Sequence, residues 1–148
     1  MRGSRAASWV SPETRALQAA LAAEQAAIYG YGVAGSHLSG AARAQATTWW
    51  LAHQVAADKL TAMLQSRRAR PAPAAVAYQL PHQVAAAAQA VSLAATLEDQ
   101  VTSAYLGLVA LPAQSVRMLG AGQARAAALR AAAWRGSTQA FPGLAISG

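Results

Sequence analysis

The chain has no cysteine, which removes disulfides, zinc–thiolate sites and thiol nucleophiles from consideration. It is poor in negative charge: five acidic residues stand against twelve basic ones, a formal net charge of +7. Lys59 is the only lysine. Arginine supplies the other basic residues, a usage that also follows from GC-rich codons. Basic charge admits nucleic acid as a partner, yet charge alone says little about function. Long apolar runs are lacking too. Glu24, Gln25, Gln89 and Glu98 interrupt the apolar stretches before they reach membrane-spanning length. The N-terminal MRGSRAASWVSPETR is basic but has no apolar segment of signal type. We therefore expect no membrane span and a cytoplasmic location. No Gly-x-Ser-x-Gly elbow occurs, and the histidines lack a paired nucleophile, so hydrolase chemistry is not expected.

What remains is abundant and apolar. Of 148 residues, 55% are hydrophobic, enough for one domain with one core. Much of that fraction is alanine, which favours helices packed closely together. Ser11-Pro12-Glu13 is a helix start, with a capping serine, a first-turn proline and an early acid. The first helix is expected to run to about His37, where Ser39-Gly40 stops it. A second spans Ala41 to about Ser66. RRARPAPAAVAYQLP then forbids a continuous helix. A third covers about His82 to Leu111 and is broken by Pro112. A fourth runs from about Ala113 to Arg135, leaving residues 136–148 as a tail.

Four helices of similar length imply an all-α four-helix bundle in a single domain over residues 1–148, with its core in 12–135. Tight turns join the first and second helices, and the third and fourth, so each pair should be an antiparallel hairpin. The middle link is longer. A helix here spans roughly 40 Å at ~1.5 Å per residue, and ~15 extended residues reach roughly 50 Å. The link can therefore travel the length of the bundle and start the third helix at the far end, the ferritin-like crossover.

Spacing then locates a polar site. Leu17, Leu21, Ile28 and Tyr31 share one face of the first helix, and Glu24 falls in the gap. On the second helix, Trp50, Ala57, Leu60 and Leu64 leave His53 as the missing member. On the third, Glu98 interrupts a seam of Val84, Ala87, Val91, Ala94, Val101, Tyr105 and Leu108. Each polar residue lies near its helix midpoint, and midpoints of matched helices meet. Glu24, His53 and Glu98 are therefore expected to converge at the waist, with Tyr29, Tyr31 or Tyr105 close by. Buried carboxylates there must be hydrogen-bonded, paired, metal-bound or protonated. Asp58, five residues after His53, lies about 140° round the helix and joins poorly on one face.

Other features carry less. Gly30, Gly32 and Gly35 follow no strand, so they are not a phosphate loop. They are expected to let another helix or a ring approach closely. Trp49 and Trp50 point about 100° apart, one into the core and one toward a subunit interface. Tyr78 and Leu80 should anchor the link, and Phe141, Pro142 and Leu144 the tail. Arg67, Arg68 and Arg70 form the strongest basic cluster. It suits the C-terminal dipole of its helix and is also a candidate anion-binding site.

The segments LQAALAAEQAAIYGYGVAG, AHQVAADKLTAML, AAVAYQLP, LEDQVTSAYLGLV and AAWRGSTQAFPGL resemble an actinobacterial family of ferritin-like proteins of unknown function, the DUF4439 type. The likeness covers roughly residues 13 to 144 and lies in ordered segments rather than one motif. It implies a ferritin-like bundle and no particular activity. It also implies a histidine where this sequence has Gln25.

A di-iron or di-manganese bundle draws a Glu from two helices and Glu-x-x-His from the other two. No Glu-x-x-His occurs in this sequence. The fourth helix has no acid or histidine, and its Arg117, Arg125 and Arg130 oppose a cation. The leading expectation is a non-catalytic structural or interaction protein, a homodimer with a degenerate metal site and no cofactor. The competing expectation is an iron- or manganese-binding redox protein, and a third is an RNA- or ribosome-associated protein.

Overall fold

The computed structural model describes residues 9–140, with side chains through residue 136. Phe141, Pro142 and Leu144 lie outside the described residues. Four helices occur in order: α1 (Pro12–Ser36), α2 (Gly40–Ser66), α3 (Ala87–Val109) and α4 (Gln114–Ala140). No strand occurs among the described residues, and no helix there is long and apolar enough to cross a membrane. The fold is an all-α four-helix bundle.

Local chemistry sets the ends. Ser11 caps α1 by accepting the Thr14 N–H at 3.0 Å, with Pro12 in the first turn. Between α1 and α2, Gly40 takes a left-handed φ of +55°, which glycine adopts without penalty. Arg68 takes the same conformation at the end of α2, φ 56°. There the N–H groups of Arg68 and Ala69 donate to Gln65 and Leu64 carbonyls, the double-bonded helix stop usually given to glycine.

Side-chain pairings fix the directions. Glu13 with Arg67, and Glu24 with His53, make α1 and α2 antiparallel. Tyr31 with Glu98, and Glu24 with Tyr105, do the same for α1 and α3. α4 runs against α3, since Arg130 reaches Glu98 while Gly120 abuts Tyr105 and Leu108. Hence α2 and α3 are parallel, and residues 67–86 must carry the chain back along the bundle. They do so on the surface of α1. Gln18 donates to the Arg70 carbonyl and accepts from Ala72, Gln25 donates to the Ala72 carbonyl, and Tyr29 stacks on Tyr78 at 5.6 Å.

Two boundaries differ from the sequence expectation. α3 begins at Ala87, not His82. The His82 Nε2 lies 2.9 Å from the hydroxyl of Thr96, so the chain is still level with the third turn of α3 and climbing beside it. It cannot turn into the helix until it reaches the top. α4 continues through Gly136 to Ala140, five residues past the expected end, because nothing there forbids helix until Pro142.

α1 packs on α2 and α3, and α3 also packs on α4. α1 and α3 thus each have two helix neighbours, and the buried face of α3 is broader than one seam, taking in Leu93, Ala95 and Leu97. Close approach depends on two glycines. A Cβ on Gly30 would strike Leu97, and one on Gly120 would lie 2.8 Å from the Tyr105 carbonyl oxygen. Gly32 and Gly35 face open space instead. They sit roughly 200° and 140° round α1 from Gly30, so the expected close packing holds for Gly30 alone of the three. Trp49 and Trp50 are both half-buried and both partnered within the chain. Trp49 meets Trp134 edge-on at 5.2 Å, and Trp50 donates to the Ile28 carbonyl.

Candidate functional site: a closed polar network at the waist

Glu24, His53 and Glu98 are the buried polar residues among those described, each at most 1% exposed. His53 stands between the two carboxylates. Its Nδ1 lies 2.5 Å from Glu24 Oε2, and its Nε2 lies 2.9 Å from Glu98 Oε1. Tyr105 donates to Glu24 Oε1 at 2.6 Å and Tyr31 to Glu98 Oε1 at 2.5 Å. Trp134 donates to the Tyr31 hydroxyl at 2.8 Å. Arg130 Nε donates to Glu98 Oε1 at 2.9 Å. All four helices contribute.

The protonation follows from the donors and acceptors. An ionised carboxylate only accepts, so a ring placed between two of them donates from both nitrogens and is an imidazolium. Burial alone would lower the pKa of His53, but its hydrogen bonds to Glu24 and Glu98, with their charge, raise it above the ordinary value. Burial likewise works against Glu98 as an anion. Its bond and attraction to His53, then those of Arg130, overcome this and lower its pKa. Burial first, then the adjacent carboxylates, push both tyrosines up, so they stay protonated donors. Glu98 is thus an anion between two cations, His53 and Arg130.

This arrangement does not fit a di-metal centre. Both lone pairs of the His53 ring are committed to protons, so the histidine has none to give a metal. Glu98 Oε1 already takes three donors, and Arg130 puts a fixed positive charge beside it. Among the described residues no group of three or more acids or histidines is arranged to hold a metal ion. Glu98 Oε2 is buried without a partner.

Of the residues singled out in the sequence, Glu24, His53, Glu98, Tyr31 and Tyr105 meet here. Tyr29 does not, because it faces the linker and stacks on Tyr78. Asp58 is exposed on the outer side of α2. Gln25, at the position where the resemblance implies histidine, also faces the linker and binds the Ala72 carbonyl. A histidine there would not address the waist. Arg67 is paired with Glu13 and donates to the Met63 carbonyl, so it belongs to the helix end and not to a free cationic cluster with Arg68 and Arg70.

Arg130 and Trp134 were missed by sequence reasoning. A signal existed: Arg130 follows Ala127 by three and precedes Trp134 by four, the bracketing that singled out Glu24. Ala127 and Trp134 are fully buried, but an alanine-rich helix shows no contrast between its faces.

Comparison with known proteins gives the family and the fold. The family model described as "Domain of unknown function (DUF4439)" matches residues 16–146. The chain belongs to the DUF4439 family. Among solved structures, the DUF4439 chain is similar to a conserved hypothetical protein, rv2844, from Mycobacterium tuberculosis. The two are 30% identical, with a TM-score of 0.83, over 88% of this chain and 99% of that one. No curated protein matches the chain.

Proposed function

We propose that this DUF4439 protein is a non-catalytic structural or interaction module: a single ferritin-like domain whose waist is filled by its own cations. The observation that carries this reading is Glu98 Oε1, which accepts from His53, Tyr31 and Arg130 at once. Protein N–H and O–H groups occupy the space around Oε1 that a metal would need, and Oε2 alone has no donor. In a core built largely of interchangeable alanines, such a network fixes which helix faces inward and at what height. The reading takes the protein as cytoplasmic and homodimeric. Leu51 and Val55, one turn apart on α2, are apolar side chains left exposed, which supports contact with a second copy there.

Elemental analysis of the purified protein, followed by titration with ferrous iron and manganese(II), tests it. No stoichiometric uptake is expected. Uptake that is stoichiometric and disappears in Glu24→Ala would replace this reading with a metal-handling one. Salt-sensitive retention of RNA fragments would instead favour a nucleic-acid role.

A further inference from the structure

Gly32 and Gly35 are not explained by the packing of the chain. A Cβ built on either meets nothing within 4 Å. Alanine is the default helical residue of this sequence, and glycine is the poorest helix former after proline. Gly107, Gly122 and Gly136 are open in the same way. What separates Gly32 and Gly35 is their company. They line a cleft of about 250 Å³ between α1 and α2 with Tyr31, Arg43, Thr47 and Trp50. No acid lines it.

Arg43 is the second anomaly. It stands in the first turn of α2, where the helix dipole disfavours a cation. That turn has no acidic residue, and Ser39 at the cap position makes no side-chain capping bond. The Arg43 side chain is exposed and makes no hydrogen bond among the described residues, although the Arg43 carbonyl accepts from Thr47. The other polar groups of the walls are already satisfied, with the Ser36 and Thr47 hydroxyls donating to the Val33 and Arg43 carbonyls. Trp50 has its indole N–H engaged by Ile28, and Tyr31 has its hydroxyl engaged by Glu98. The cleft therefore offers one unspent cation, the part-exposed ring of Trp50 above a buried Tyr31, and a helix backbone left bare.

We infer that the α1–α2 cleft binds a small organic acid with a flat apolar body. Its carboxylate sits on the Arg43 guanidinium, a planar fork that matches a carboxylate. Its body lies over Gly32 and Gly35 against Trp50, with the Tyr31 ring as floor. The volume suits a single ring with a short acidic arm, below the usual range for drug-sized ligands of ~300–1,000 Å³. The missing β-carbons admit the ligand to the helix backbone. This inference does not rest on the waist reading, and metal uptake at Glu24 would leave it standing.

Phenylacetate is the probe, with acetate and phenylacetamide as controls lacking the ring and the charge. Titration into the full-length ¹⁵N-labelled protein should give saturable shifts at the Gly32 and Gly35 amides and the Trp50 indole. Each control should bind at least about tenfold more weakly. Arg43→Gln should weaken phenylacetate about tenfold. The double variant Gly32→Ala/Gly35→Ala should also weaken it about tenfold while raising the melting temperature, since alanine is the better helix former. That opposite movement separates a site from a folding defect. Absence of saturable shifts would overturn the proposal, as would unchanged binding in the double glycine variant. A double variant that turns a dimer into a monomer with phenylacetate binding intact would assign the cleft to contact between copies.

Discussion

Removing Glu98 is the most informative perturbation of the waist. Glu98→Ala takes the acceptor from three donors at once, because Tyr31, His53 and Arg130 all converge on Oε1. The consequences differ by donor. Arg130, with its side chain 13% exposed, can turn toward water. The Tyr31 hydroxyl keeps the bond it receives from Trp134 but loses the one it gives. His53 is fully enclosed and keeps Glu24 alone. Breaking a buried pair by deleting one partner costs about 3–5 kcal/mol. That is a large share of the roughly 5–15 kcal/mol that holds a domain folded. For a chain of this size the melting temperature should fall by about 10 °C. Guanidinium chloride unfolding followed by circular dichroism, with calorimetry alongside, measures both quantities. Glu98→Gln keeps an oxygen for one donor but removes the charge, and should lose less. A Glu98→Ala protein within about 0.5 kcal/mol of the parent would refute the reasoning, since no surrounding group can take the place of Oε1.

The pH profile follows from the same network. His53 has a raised folded pKa, so its contribution is full below its ordinary value of 6.5 and is lost as pH rises through the folded value. Glu98 has a lowered one, so its contribution is present above its ordinary 4.5 and is lost as pH falls through the folded value. Melting temperature should peak between these and decline on both sides; a steady rise on going alkaline would count against an imidazolium at His53. Gly120→Ala should cost about 2–3 kcal/mol, measured by denaturant midpoint, because its new β-carbon meets the Tyr105 carbonyl and Leu108 Cβ at 2.8 and 2.7 Å. Arg68→Gly should stabilise by about 1 kcal/mol, relieving the left-handed conformation at the end of α2. An unchanged midpoint there would show that the arginine supplies a compensating contact.

Glu24, His53 and Glu98 were legible in the sequence because each is a polar residue in an apolar series at mid-helix. Position along the rod and angle round it are both countable, and the linker is long enough to allow the crossover. Arg130 was hidden for the opposite reason. Its seam on α4, Val116, Gly120, Ala124, Ala127 and Ala131 ending at Trp134, is mostly small residues, and the solvent face is alanine-rich too. The start of α3 was hidden because prolines mark where a helix cannot continue, not how far a linker must climb before the next one begins. Tyr29 and Tyr31 are indistinguishable by residue type. Tyr31 shares the Leu17 and Leu21 face of α1 and meets Glu98, while Tyr29, about 200° round the helix, meets Tyr78 of the linker.

The central claim is that His53 fills the waist as a doubly protonated ring between two carboxylates. Nitrogen-15 NMR of the histidine side chains at neutral pH reads this directly. Protons bonded to both Nδ1 and Nε2 of His53 are the result expected here. A single protonated nitrogen beside a bare one able to ligate a cation would contradict it.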